Sequence, residues 1–180
     1  MKFITKLFYL SLTFLCLNSV AFSQQSMVGE KAYVFTSKTL EGDSRFYLSE
    51  VIDEDKLIFV NFFATWCSPC IQELPLLNKF YQQNKSTFEM IIIDVNNLSV
   101  LKNNSPINLP EDPNVAKKIL ADNNITFTSL FDKHAFIARQ YNVLNLPHSV
   151  LIKNGIIVWE GRSKLTTLVL NNLKKFLNDN

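Results

Sequence analysis

Leu57-Ile58-Phe59-Val60-Asn61-Phe62-Phe63-Ala64-Thr65-Trp66-Cys67-Ser68-Pro69-Cys70-Ile71-Gln72-Glu73-Leu74-Pro75 is the stretch on which the reading of this chain turns. Leu57 to Phe63 is a near-continuous apolar run, rich in β-branched and aromatic residues and interrupted only by Asn61. That pattern predicts a strand covered on both faces. From Ser68 onward the spacing is helical, with Cys70, Leu74, Leu77 and Tyr81 on one stripe. Pro69 suits a first helical turn, where a missing N–H leaves no bond unmade. Cys67 is therefore expected at or just before a helix N-terminus, with Cys70 one turn inside.

A helix N-terminus carries unpaired N–H groups and a partial positive charge, and both favour a thiolate over a thiol. A free cysteine titrates near about 8.5, whereas cysteines in this setting commonly fall to roughly 7 or below. Cys67 then reads as a nucleophile and Cys70 as the thiol that resolves what it captures. Taken alone, C-x-x-C could equally be half of a zinc site. Only His134 and His148 could complete one, and neither stands at a finger spacing. Ile71 occupies the place where haem attachment requires histidine. Neither a metal nor any other cofactor is expected.

The residues resemble the thioredoxin superfamily, and within it the extracytoplasmic TlpA/ResA-like thiol-disulfide oxidoreductases. Trp66-Cys67-Ser68-Pro69-Cys70 is similar to the W-C-x-P-C active site of that group, and Val60 to Thr65 to the strand that leads into it. Pro75 matches a proline that kinks the active-site helix. Leu146-Pro147, followed by His148 to Ile152, resembles the cis-proline loop and the strand after it, and Lys153-Asn154-Gly155 the hairpin turn beyond. The resemblance spans roughly Val28 to Leu177. It implies an α/β thioredoxin-like fold, a central mixed sheet flanked by helices, with an N-terminal β-hairpin extension and an insertion after the second core strand.

The remainder of the chain agrees with one exported domain. Its 180 residues, 47% apolar and 19% charged, have ordinary globular composition. Lys2 and Lys6 precede the apolar stretch Leu7 to Leu17, and Ala21-Phe22-Ser23 is a small-residue cleavage pattern, so residues 1–23 read as a signal peptide and 24–180 as the domain. An uncleaved membrane anchor and a lipoprotein built on Cys16 are the alternatives. Cleavage removes two lysines and takes the formal charge from +2 to neutrality, which gives nucleic acid nothing to bind. It also leaves Cys67 and Cys70 as the only thiols. A bridge closing so small a loop constrains the unfolded chain little, so the pair reads as reactive rather than structural.

Ala32 to Thr36 and Phe46-Tyr47-Leu48 are expected as the N-terminal hairpin, around a turn at Leu40 to Asp43. The active-site helix should fade near Asn84. Phe88 to Val95 is a second buried strand with Asp94 near its end, and strand–helix–strand alternation implies parallel pairing. Asn96 to Pro113 reads as a surface excursion or a partner-recognition loop. A helix carrying Val115, Ile119 and Leu120 follows, then a strand at Thr128 to Phe131 and a short helix at Ala135 to Tyr141. Ser149 to Lys153 and Ile156 to Glu160 form a hairpin. A terminal helix from Lys164 to Leu177 should bury Leu165, Leu168, Val169, Leu173, Phe176 and Leu177.

Five further residues carry a functional expectation, three of them beside a plainer one. Glu73 shares a helix face with Cys70. By position it is a solvated helix glutamate; by resemblance it tunes proton transfer to the cysteines, and Asn61 stands where thioredoxin itself places an acid. Leu146 and Pro147, by resemblance, offer backbone to an extended substrate. His148, where relatives often carry threonine, is either an imidazolium that stabilises the Cys67 thiolate or a loop side chain facing solvent. Trp66 either shields the motif or is a core aromatic. The reading is an exported, monomeric thiol-disulfide oxidoreductase that reduces protein disulfides, such as those of apocytochrome c, and is recharged by a membrane thiol donor. A disulfide-donating oxidase, a peroxide-reducing redoxin and a redox-inactive binding module are the alternatives.

Overall fold

The computed structural model describes residues 25–42, 44–52, 56–95, 98 and 112–177. The expected signal peptide and nearly all of the Asn96–Pro113 excursion lie outside these residues.

The apolar run predicted as a doubly covered strand is β3, Leu57–Phe63, and every residue in it is buried. It pairs in parallel with β4, Phe88–Asp94, and antiparallel with β6, His148–Lys153. With β1 (Thr36–Thr39), β2 (Arg45–Tyr47), β5 (Thr128–Phe131) and β7 (Ile156–Gly161), these form a seven-stranded mixed sheet in the order β2-β1-β5-β4-β3-β6-β7. Strand alternation sorts β3 onto two cores. Ile58, Val60 and Phe62 join one, and Leu57, Phe59 and Phe63 join the other together with Cys67 and Cys70.

The second core is covered by α1 (Ser68–Asn84), α2 (Pro113–Asp122) and α4 (Thr167–Leu173), which continues as a 3₁₀ turn over Lys174–Leu177. The first is covered by α3 (Phe136–Gln140) and the segment around Ala32 and Phe35. Five residues make a short helix, and α3 is held at its start by Asp132, whose two carboxylate oxygens accept the amides of Phe136 and Ala138 at 2.8 and 2.9 Å. Asn154 and Gly155 both take positive φ, 49° and 73°, which closes the β6–β7 hairpin in two residues at the expected place.

Three expectations are corrected. The N-terminal hairpin is β1 and β2, displaced along the chain from Ala32–Thr36: Ala32 and Phe35 are used as core, and β1 begins where Thr36 pairs with Tyr47 of β2 and goes on to pair with β5 from Lys38. The helix expected to carry Val115, Ile119 and Leu120 is α2, and its buried residues are Ala116 and Leu120. In the terminal helix Leu168 is 70% exposed and Leu170 is buried instead, because Thr166 caps the helix through the Val169 amide and so starts it later than Lys164. The buried stripe of α1 is Cys70, Glu73, Leu74, Leu77, Phe80 and Asn84, with Tyr81 only half-buried.

Candidate active site

The site is built where β3 ends. Beyond Phe63 the chain turns through Ala64, Thr65 and Trp66, with the Cys67 amide donating to the Ala64 carbonyl at 3.0 Å, and α1 starts. Cys67 is the N-cap of α1, and its Sγ accepts the Cys70 amide at 3.3 Å. Its carbonyl takes the Ile71 amide at 3.1 Å, the first bond of the helix. Pro69 sits in the first turn, as its missing N–H allows, while Pro75 lies inside the helix and withholds one backbone bond. The two sulfurs are joined in a disulfide across a Cα–Cα distance of 5.3 Å. Cys67 keeps 3% of its surface exposed and Cys70 none.

Glu73 lies one turn further along and is 1% exposed, so it is not the solvated glutamate that its position suggests. Its Oε1 accepts Asn61 Nδ2 at 3.0 Å and its Oε2 accepts the Leu165 amide at 2.9 Å. Asn61 Nδ2 also donates to Ser149 Oγ at 3.0 Å, across the antiparallel pair that sets Asn61 of β3 opposite Ser149 of β6. Burial raises the Glu73 pKa above the ordinary carboxylate range, and the Leu165 amide, Asn61 and the charge of Lys164 only partly counter it. The carboxyl is thus poised to hold or release a proton one helical turn from Cys70.

Leu146-Pro147 is a cis peptide. Since β6 runs antiparallel to β3 and its first residue, His148, pairs with Phe62, this peptide abuts the end of β3 from which the cysteines follow. Leu146, half-buried, packs against the cluster that contains both cysteines. Trp66 is 38% exposed, which removes it from the core and leaves it as a flank of the motif.

His148 departs from both expectations. It is 1% exposed, and strand alternation sets it with Val150 and Ile152 on the sheet face away from the cysteines, its ring edge-on to Phe62. Its Nε2 lies 3.2 Å from Glu160 Oε1, off the line a hydrogen bond needs. Burial, more than the opposing pull of Glu160, takes its pKa down to about 4, so at neutral pH there is no imidazolium to stabilise a thiolate. Glu160 is itself held ionised, because Arg162 and the Met27 amide outweigh its desolvation. Arg162 also donates to the Gln25 carbonyl at 2.8 Å, so this cluster ties the start of the described chain to β7. Sequence reasoning missed the cluster and the partners of Glu73. The available signal was polar residues at matching parity in two apolar strands, Asn61 in β3 and Ser149 in β6.

Among the described residues no group of three or more His, Cys, Asp and Glu side chains is arranged to hold a metal ion. No helix there is long and apolar enough to cross a membrane.

The AhpC/TSA family profile matches residues 28–160. The chain is 28% identical over 141 residues to the thiol-disulfide oxidoreductase ResA of Bacillus thuringiensis subsp. konkukian, spanning 77% of this chain and 72% of that one. It is 32% identical over 132 residues to the thioredoxin-like protein YneN of Bacillus subtilis, spanning 72% and 68%. Among solved structures, the thioredoxin domain of a thiol-disulfide oxidoreductase from Bacteroides vulgatus superposes with a TM-score of 0.68 at 21% identity, covering 86% of this chain and all of that domain. StoA of Bacillus subtilis does so with a TM-score of 0.59 at 21% identity, covering 81% and 96%.

Proposed function

Since the chain belongs to the AhpC/TSA family and is a thiol-disulfide oxidoreductase of thioredoxin-like fold, we propose that it reduces disulfides of exported proteins through a Cys67/Cys70 dithiol–disulfide cycle. One observation carries this reading: Cys67 caps α1 with the Cys70 amide aimed at its sulfur, and it is the cysteine that solvent reaches.

In the reduced protein the Cys67 thiolate is stabilised by that amide and by the helix dipole. It attacks one sulfur of a substrate disulfide, forming a Cys67–substrate bond and expelling the other substrate sulfur as a thiolate, which takes a proton. Cys70 gives its proton to Glu73 and attacks the Cys67 sulfur; the second substrate sulfur leaves and is protonated. Two electrons have then passed to the substrate, and the Cys67–Cys70 bridge remains. The backbone at Leu146-Pro147 lines the extended substrate chain, and Trp66 covers its flank. His148 has no contact with substrate in this scheme, since it is buried on the other sheet face. A thiol donor in the membrane returns the bridge to the dithiol.

The protein acts outside the cytoplasm as a monomer, after removal of residues 1–23. The reductive direction is favoured over a disulfide-donating oxidase because the cation that would have made the thiolate unusually stable, a charged His148, is absent at neutral pH. Peroxide reduction by a redoxin is disfavoured by Thr65, which stands two residues before Cys67 where a peroxidatic T-x-x-C needs three. A redox-inactive binding module would leave the helix-capping sulfur unused.

The test is to express Cys70→Ser in the native compartment and isolate what stays attached to Cys67, alongside insulin reduction by the wild-type protein. Exported proteins released by reductant, together with turnover of insulin, support the reading. No adduct on Cys67 and no turnover refute it.

A further inference from the structure

Asn61 spends both of its amide hydrogens inside the protein, one on Glu73 Oε1 and one on Ser149 Oγ, each at 3.0 Å, while its own Oδ1 is buried with no partner. A side-chain amide has two orientations, and here they differ in charge complementarity. With Nδ2 inward, Glu73 faces a donor; with Oδ1 inward, an ionised Glu73 faces a lone pair. The structure therefore contains a choice that Glu73 alone does not settle. Ser149 adds the second anchor: its hydroxyl oxygen accepts the other amide hydrogen from the strand paired with β3, and this bond fixes the amide that a single bond to Glu73 leaves free to swing.

We propose that Ser149 is a positioning residue for the active site, holding the Asn61 amide in the orientation that donates to Glu73 and thereby setting how readily Glu73 accepts a proton from the cysteine side. The inference rests on the proposed role of Glu73 in the cycle, yet its main test needs no turnover. The groups facing the Glu73 carboxyl are few. From α1 comes Cys70, one turn before Glu73 on the same buried stripe; from β3, Asn61; from β6, Ser149 through Asn61; and from the segment before α4, the Leu165 amide and the charge of Lys164, whose Nζ also donates to Gln72 at 2.8 Å. In the oxidised protein the cysteines do not titrate, so Lys164 is the one other charge in this set.

Removing the Ser149 hydroxyl frees the Asn61 amide to turn. The ionised form of Glu73 then loses a fixed donor while its protonated form, which can donate to Oδ1, loses nothing. The Glu73 titration moves upward by roughly one pH unit, the size expected for losing one hydrogen bond to a charged group.

The experiment follows the Glu73 side-chain carboxyl by ¹³C NMR against pH in the oxidised wild-type protein and in Ser149→Ala, Ser149→Thr and Asn61→Ala. An upward displacement in Ser149→Ala and Asn61→Ala, with Ser149→Thr restored to the wild-type curve because it keeps a hydroxyl, supports the proposal. Superimposable curves for wild type and Ser149→Ala overturn it. Should Ser149→Ala fail to fold, Ser149→Cys, whose sulfur accepts poorly, takes its place beside Ser149→Thr: an upward displacement supports the proposal and a wild-type curve overturns it. Failure of the wild-type protein to reduce insulin would instead strike the proposed function and leave these titration curves to be read on their own.

Discussion

Protonation of a single buried histidine should dominate how this protein loses stability in mild acid. His148 is 1% exposed and edge-on to Phe62, and its pKa falls from the ordinary 6.5 to about 4. As the pH drops through this window, the unfolded chain takes up a proton that the folded chain refuses, so the unfolded state gains. The stability is fully present above pH 6.5 and is lost progressively down to about 4. Two and a half pKa units at about 1.4 kcal/mol each amount to about 3.5 kcal/mol once the titration is complete, a large share of a typical domain's total stability. Glu160 adds to the same trend, since its pKa is also lowered and its stabilisation also fades with acid. The perturbation is His148→Gln, which keeps a polar side chain beside Glu160 but cannot titrate. Urea unfolding of both proteins at steps from pH 4 to 7.5 gives the difference between them at each pH. Any pH-independent cost of the substitution cancels when that difference is compared along the series. The wild type should gain on the variant by about 3 kcal/mol from the lowest pH to the highest, with most of the change between pH 4.5 and 6. A difference that stays flat with pH refutes the argument, because it means that His148 titrates alike in the folded and unfolded chains.

Glu73→Gln should remove the alkaline-going limb of the pH dependence of mixed-disulfide release while leaving the first attack by Cys67 intact; stopped-flow single turnovers on a small disulfide separate the two steps, and an unchanged profile eliminates Glu73 as the base. The same substitution should flatten one component of stability in the other direction from His148. A carboxyl whose pKa is raised on folding favours the folded state at low pH and loses that contribution as the pH climbs through the raised value, so the wild-type protein should lose ground to Glu73→Gln on going from pH 4 towards neutrality. On the terminal helix, Leu173→Ala should cost about 2–5 kcal/mol, whereas Leu168→Ala should stay within about 0.5 kcal/mol, since one residue is 1% and the other 70% exposed; equal midpoints in thermal melts would contradict the placement of α4.

Much of this protein is legible in one dimension. The β3 run, the helical spacing after Ser68, the cysteine pair at the join and the Asn154-Gly155 turn are local patterns, and local sterics and hydrogen bonding suffice to produce strand, helix start and hairpin. Where an apolar run is nearly continuous, even burial follows, as in β3 and β4. The terminal helix shows the limit. Its apolar residues are dense enough to suit more than one face, and only the Thr166 cap and the sheet beneath chose Leu170 over Leu168.

The amino-acid order by itself determined that a thiol pair would stand at the head of a helix fed by a buried strand, because helix caps, apolar periodicity and proline geometry all act over a few residues. What the charged and polar side chains around that pair do was decided only by the folded structure. Glu73 looked solvated and is buried because the Leu165 amide and Asn61, distant in sequence, meet it there. His148 looked like a loop cation and is neutral in a core because β6 begins at that residue and strand parity turns it away from the sulfurs. Proton affinity depends on how much water and which donors surround a group, and those surroundings are assembled by strand pairing and helix packing rather than by neighbours along the chain.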